Sequence, residues 1–420
     1  MIAPFRFALR MKRMWKALGP GLITGASDDD PSGIATYSQA GAKFGSRLLW
    51  TALYTYPLMV AIQEMCARIG IVTNMGLTGT IKKHYSRKLL YVIIFISFPS
   101  ITLNIGADIA AMGAVGNMLL PQVPSMVFSI AFTLLLMYLI VVWPYRRIAT
   151  ILKWLCIALF SYIVIPFLAD TDWKDALYDS AVPRFVFSRD FFISLVGILG
   201  TTISPYLFFW QTSMEVEEMQ QRKKIMVDKR IINSMQTDIE GGMLFTNIVF
   251  FFIILSTGTV LYKAGIFEVE TVEEAAMALK PLAGNLAYTL FALGVIGTGL
   301  LAVPVLAGSL SYMIAETFNW EEGLDKKFHE ARGFYLTMIV SLVIGLAVLF
   351  SGVSPVRALV YTAVLYGLTA PVMITMILMI CNNRQIMGKY TNGFLSNFFG
   401  GITLLLMTAA AGLLVYFLIA

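Results

Sequence analysis

Histidine and cysteine are nearly absent from this chain, with two and three residues in 420. Cys66, Cys156 and Cys381 fall in or at the ends of apolar segments and share no metal-ligand spacing. They read as packing residues, which sets aside zinc and thiol redox chemistry. His84 and His329 both lie in segments read as cytoplasmic loops, so neither is placed for a proton relay inside a membrane. Charge is scarce as well, at 13% of residues, which is not the profile of a soluble globule. There is no phosphate-binding glycine motif and no Ser/His/Asp constellation, so no enzyme and no cofactor are expected. Residues 5–16 are basic and aromatic without a small-residue cleavage site, so no cleavable signal peptide is expected.

Apolar residues fill the space that charge leaves: 58% of the chain, with a mean hydropathy of +0.76. About eleven segments are long enough to cross a ~30 Å apolar core. They cover 17–42, 47–71, 89–112, 124–143, 149–168, 189–220, 235–261, 285–317, 332–352, 355–380 and 397–419. Lys and Arg gather in alternate loops: at 6–16, 82–88, 146–147, 222–230, 326–332 and 384–389. The intervening loops are poor in basic residues and include Asp170, Asp172, Asp175 and Asp179. The positive-inside rule then puts the N-terminus in the cytoplasm and the C-terminus outside, in a multi-pass protein of the plasma (inner) membrane. The net charge of +6 is an orientation signal on this reading, and no nucleic-acid partner is expected.

Two of the apolar segments are interrupted. Asp28, Asp29 and Asp30, followed by Pro31, Ser32 and Gly33, stand inside the first. Pro removes a backbone donor and Gly weakens a helix, so an unbroken helix here is disfavoured. Ionised carboxylates at membrane depth cost a few kcal/mol each and usually face an ion path. The sixth segment breaks at Ser204-Pro205-Tyr206, after Gly197 to Ile203. Broken helices five spans apart are the pattern of two inverted five-helix repeats that meet at a central binding site. The expected architecture is all-α, a LeuT-type 5+5 inverted repeat. It forms one transport domain over 1–420, with repeats at 1–168 and 184–380 and an additional helix at 397–419.

Several stretches carry a family resemblance. Gly19-Pro20-Gly21-Leu22, Asp30-Pro31, Ala40 to Gly45 and Leu48-Leu49-Trp50 look like the first-helix region of the Nramp divalent-metal transporters. Ala67 to Thr73 resembles the end of that family's second helix, Ala107 to Ala110 its third, and Gly200 to Pro205 its sixth-helix break. The resemblance implies a LeuT-type fold of eleven helices and proton-linked uptake of divalent transition metals. It makes Asp30 the central metal ligand and adds the backbone carbonyl of Thr201. Asp108 matches a carboxylate linked to proton movement.

The departures bear on the ion. Gly33 stands where the family has a ligating Asn, Ser204 where it has a Met, and Tyr206 and Gln211 where it has His; Ala111 replaces a Glu. Thioether sulfur suits soft cations, whereas carboxylate, hydroxyl, carbonyl and water suit Mg²⁺, Ca²⁺ and Mn²⁺. Loss of Met and Asn beside Asp28 and Asp29 moves the site toward hard oxygen ligation, as in the Nramp-related magnesium transporters, which lack the Met. Mg²⁺ and Mn²⁺ both fit, with or without protons as the coupling ion. A LeuT-fold carrier of a small cationic organic solute is the alternative, and a membrane sensor a more remote one.

Other polar residues have two readings each. Glu64 is a proton-path residue or a helical partner of Arg68. Asp108, without a basic neighbour at helical spacing, is a proton-relay or ion-path residue. Asp238 and Glu240 sit near Lys229 and Arg230, as a gate or salt bridge. Glu215, Glu217 and Glu218 read as a solvated helix end, and Glu316 as a side chain snorkelling to the interface.

Overall fold

The computed structural model of the chain describes residues 20–145, 147–148, 155–221, 227–347, 350 and 352–419. The basic cluster expected at 6–16, Arg146, Arg222 to Lys224 and the start of the fifth apolar segment lie outside them. Regular structure among the described residues is helical. That suits lipid, where a helix alone satisfies its own backbone donors and acceptors within one segment.

The first apolar segment is two helices, α1 (Pro20–Asp28) and α2 (Pro31–Phe44). Asp30 caps α2, its side chain accepting from the Gly33 N–H, and Pro31 occupies the first turn, where a missing N–H costs nothing. Helix α2 ends at Gly45, whose φ of +61° is open to glycine. There follow α3 (Trp50–Thr73), the short α4 (Leu77–His84), α5 (Arg87–Leu119), α6 (Ser125–Val142), α7 (Ser161–Leu168) and α8 (Trp173–Ala181). The sixth apolar segment is α9 (Arg189–Thr202), capped by Ser188, and α10 (Pro205–Gln221). The remaining long helices are α11 (Lys229–Thr257), α12 (Ala287–Phe318), α13 (Arg332–Leu346), α14 (Pro355–Asn382) and α15 (Phe394–Ile419).

Seven stretches among the described residues are long and apolar enough to span a membrane: α5, α6, the α9–α10 run, α11, α12, α14 and α15. Singly, α1 and α2 are too short, and α3 carries Gln63, Glu64 and Arg68. The α9–α10 run is the most enclosed, with 94% of its apolar window buried, against 22% for α6 and 28% for α15. The sixth segment is therefore the centre of the bundle, and α6 and α15 present Leu134, Phe394 and Leu405 at its periphery.

Alternate loops meet at two opposite ends. At one, Lys82 bonds the carbonyls of Glu316 and Thr317, and Arg68 reaches Tyr390, Thr391 and Asn392. At the other, Lys43 pairs with Asp190 (2.8 Å) and Glu268 (3.5 Å), Arg357 pairs with Glu270, and Ser46 bonds Asp179.

Glycines let the broken helices approach their neighbours closely. A Cβ on Gly25 of α1 would lie 2.2 Å from the Gly242 carbonyl oxygen of α11. One on Gly200 of α9 would lie 2.0 Å from the Ala363 carbonyl oxygen of α14. Small residues are what allow such backbone contact between membrane helices. Gly25→Val and Gly200→Val should each destabilise the protein by about 1–3 kcal/mol or more. A thermal melt of the purified protein in detergent, unchanged for both variants, would contradict this packing.

Candidate functional site

The two breaks face each other. The Tyr206 hydroxyl of α10 donates to the Ser27 carbonyl of α1 (3.0 Å), and Thr24 of α1 bonds Gln211 of α10 (2.5 Å). Gln211 in turn donates to Glu215 (2.9 Å). On the other side, Ser32 of α2 lies 3.5 Å from the Thr201 hydroxyl of α9, and a Cβ on Gly197 would touch Thr36 at 3.2 Å. So α1 pairs with α10, and α2 pairs with α9. Beyond the second pair lies a cavity of ≈ 200 Å³ lined by Gln39, Lys43, Asp190, Ser194 and Arg357, among others.

Asp30 stands at the junction with both carboxylate oxygens engaged. Its Oδ1 accepts from the Ser32 hydroxyl (2.6 Å) and the Gly33 N–H (2.8 Å), and its Oδ2 from the Asn104 amide (3.0 Å). Asn104 is itself held by Thr362 of α14 (2.7 Å). Ser204 donates to the Thr201 carbonyl (2.6 Å) and lies 3.1 Å from that of Gly200, satisfying the open end of α9. Asp28 and Asp29 turn toward α11, where Thr246 lies 3.4 Å from one and 2.8 Å from the other. One oxygen of each remains without a protein partner, and Asp108 on α5 faces the Ser32 backbone N–H. Asp108 lies within electrostatic reach of Asp30. All four carboxylates are 0–1% exposed. Among the described residues no Lys, Arg or His forms an ion pair with any of them. Nor do three His, Cys, Asp or Glu side chains there converge as a ready metal cage. Oxygen donors from Asp, Ser, Thr and backbone, at two helix C-termini with partial negative charge, form a hard, electronegative pocket.

The family profile described as natural resistance-associated macrophage protein-like (Nramp) matches residues 21–417. The chain belongs to the Nramp family. The divalent metal cation transporter MntH of Caldanaerobacter subterraneus subsp. tengcongensis is 24% identical over 416 residues, covering 97% of this chain and 94% of that protein. MntH of Clostridium acetobutylicum is 25% identical over 91% of this chain and 86% of its own. Among solved structures, the Eremococcus coleocola manganese transporter, in complex with an aromatic bis-isothiourea compound, superposes with a TM-score of 0.73. That pair is 18% identical and covers 95% of this chain and 86% of the other. Mhp1 in its inward-facing conformation reaches 0.57 at 13% identity, covering 95% and 90%. The Nramp chain therefore has an all-α, multi-pass membrane fold related to LeuT-type transporters, and it is a membrane transporter, not an enzyme.

The geometry bears on the positions where this Nramp chain departs from the family pattern. A Cβ at Gly33 would lie 3.2 Å from the Tyr37 ring, 3.3 Å from the Asp28 carbonyl oxygen and 3.4 Å from the Thr201 hydroxyl. A side chain at position 33 would therefore need the Tyr37 ring to shift by a few tenths of an ångström. Tyr206 and Gln211 tie α10 to α1, where the family has His.

Glu64 forms the helical pair with Arg68 (3.2 Å) that its spacing offered, and also accepts from Gln236 (3.4 Å). Several other side chains do other work than their sequence context implied. Asp238 accepts from the Gly21 N–H (2.7 Å), holding the start of α1 against α11. Glu217 was expected at a solvated helix end; it accepts from the Leu324 N–H (2.8 Å) and from the Tyr312 hydroxyl. Glu316 does not snorkel to a lipid interface. It turns inward and accepts from the Gly79 N–H of α4 (2.8 Å), because the open N-terminal turn of that helix needs acceptors. Asn104 and Thr246 escaped the sequence reading. The signal for Asn104 was its place one turn before Asp108 in an otherwise apolar helix.

Glu322, in the loop after α12, is largely withdrawn from water near Glu316 and Glu217; burial first, then those carboxylates, push its pKa up to about 9. The folded state thus holds this proton more tightly than the unfolded chain, so stability falls as pH rises from about 4.5 to about 9. Glu322→Gln should raise the melting temperature at pH 8 and leave it unchanged at pH 4. An equal effect at both pH values would refute the assignment.

Proposed function

We propose that this chain imports a hard divalent cation, Mg²⁺ or Mn²⁺, across the plasma membrane by alternating access, through a site centred on Asp30 between the two breaks. The observation that carries this reading is the set of four fully buried carboxylates, Asp28, Asp29, Asp30 and Asp108, with no basic partner among the described residues. Uncompensated charge of that amount is tolerated where a cation shares the site. The names of the MntH relatives and of the Eremococcus coleocola manganese transporter point to the same class of cargo.

In this reading the eleven spans form two inverted five-helix repeats and one additional helix, with the N-terminus in the cytoplasm and the C-terminus outside. Asp30, the Thr201 carbonyl and Ser204 face the ion, and the small Gly33 and Ser204 leave it partly hydrated. A carbonyl has two lone pairs, so the Thr201 oxygen bonded by Ser204 keeps one for a cation or its water. The cavity beyond α2 and α9 is the outer vestibule, and the α1–α10 pair is the inner gate. Asp108, buried and without a basic partner among the described residues, offers a place for a coupling proton. An inside-negative potential supplies about 4.6 kcal/mol per 100 mV for a divalent ion, enough to drive uptake with or without proton symport.

Purified protein in proteoliposomes should take up Mg²⁺ or Mn²⁺ in a saturable way, with a pH probe reporting any coupled proton. Asp30→Ala should reduce uptake about tenfold or more, the loss of at least 1.4 kcal/mol of ion stabilisation. Full transport by that variant would remove Asp30 from the site. Ser204→Met should shift preference toward Cd²⁺ relative to Mg²⁺, because a thioether replaces an oxygen donor. Uptake of an organic cation with no response to divalent ions would overturn the reading.

A further inference from the structure

The stretch that follows α11 lies along the cavity beyond α2 and α9. Helix α11 passes into a single π turn (Gly258–Tyr262), and Gly265, at φ +78°, then turns the chain back where an L side chain would be strained. Residues 266–270 run without helix to Thr271, which caps a short helix (Val272–Met277). Glu274 of that helix accepts from the Glu270 N–H (2.7 Å) and the Thr271 N–H (3.1 Å), which fixes the far end of the stretch. At the near end Phe267 packs edge-on against Tyr262, with ring centroids 5.4 Å apart. Glu268, Val269 and Glu270 form part of the wall of the ≈ 200 Å³ cavity, which has room for many waters. Ser194 of α9, 5% exposed, is the most enclosed polar residue of that wall.

The stretch is held unequally on its two sides. Toward α2, Gln39 accepts from the Val269 N–H (2.8 Å), and its amide nitrogen lies 3.5 Å from the Phe267 carbonyl. One turn along α2, Lys43 pairs with Glu268 (3.5 Å) and with Asp190 of α9 (2.8 Å). Helix α2 is itself seated on α11, since a Cβ on Gly41 would lie 2.0 Å from the Thr257 hydroxyl. Toward α14, Glu270 pairs with Arg357, and those side chains are 48% and 55% exposed. An ion pair so open to water contributes little to stability. The stretch, α2 and α11 are therefore one packed unit, and the contact with α14 is the one that parts most easily.

We propose that residues 266–270 form a strap over the outer vestibule, hinged on α2 by Gln39 and Lys43 and latched to α14 by the Glu270–Arg357 pair. The latch parts before the space around Ser194 opens to outside water. The inference deepens the transport reading above and rests on it for which end of the bundle is outer. The opening itself is defined without reference to the ion carried.

Labelling of Ser194→Cys by a small water-soluble thiol reagent, in the full-length protein in detergent and above the rate of the parent protein, reads the opening. Adding Arg357→Gln, or Glu270→Gln, should speed labelling about two- to fivefold, the factor for loss of one exposed ion pair. The charge exchange Glu270→Arg/Arg357→Glu should restore the slow rate, which separates a lost latch from general loosening of the fold. Hydrogen–deuterium exchange locates the hinge: Gln39→Ala should speed exchange at the Val269 amide, and Arg357→Gln should leave it protected. Equal labelling with and without Arg357→Gln, or a charge exchange that labels as fast as the single variants, would overturn the latch. Loss of Val269 protection in Arg357→Gln would overturn the hinge on α2. Either result leaves the transport reading intact, because saturable divalent-cation uptake by the parent in proteoliposomes tests that reading separately. Absence of uptake with the labelling pattern intact would overturn the transport reading and leave a latched cavity.

Discussion

The structure turns on the burial of Asp28, Asp29, Asp30 and Asp108 at the interrupted helices. On insertion scales a carboxylate at membrane depth costs about 2.5–3.5 kcal/mol, so four cost about 10–14 kcal/mol, comparable with the whole stability of a typical domain. Such a cost is sustainable when the charges are met by donors, by protons or by a cation. The protein meets only part of it. Asp30 takes three donors, Asp28 and Asp29 share one hydroxyl, and Asp108 faces a single backbone N–H, that of Ser32.

The bundle around that point is arranged so that the breaks survive. Interrupted backbone at membrane depth is tolerated only when it is enclosed by protein or lines an aqueous cavity, and the α9–α10 run is the most enclosed stretch in the bundle. Glycines at 25 and 200 bring α1 onto α11 and α9 onto α14 at backbone contact. Asp238 takes up the first N–H of α1 and Ser204 the last carbonyls of α9. Both halves of the first segment, α1 and α2, pack on α11, while α9 packs on α14.

The ends of the bundle are built differently from its centre. At one end Lys43, Asp190, Glu268, Glu270 and Arg357 form ion pairs around the cavity beyond α2 and α9, and such pairs near the surface contribute little to stability. At the other, Glu217, Glu316 and Arg68 bond backbone and loop groups, closing α4, α10, α12 and the segment before α15 on one another. The first arrangement is easily parted and the second is firmer.

Much of this was legible from residue order alone, because lipid makes local rules strict. Hydropathy speaks directly to where the apolar spans lie. Pro31 and Pro205 beside glycines mark where a helix cannot run through, and the Nramp motifs single out Asp30. Residue order could not decide which of the three aspartates would be satisfied. That depends on donors brought from elsewhere, Asn104 from α5 and Thr246 from α11, which are 74 and 217 residues away from the carboxylates they bond. For the same reason Glu316, Glu217 and Asp238 looked like solvated or interfacial charges. Only the tertiary structure places an open helix terminus or a loop amide against each of them. The run at 28–30 was fixed by sequence as a charged break; the folding of distant helices against it decided that Asp30 is held and that Asp28 and Asp29 are left open.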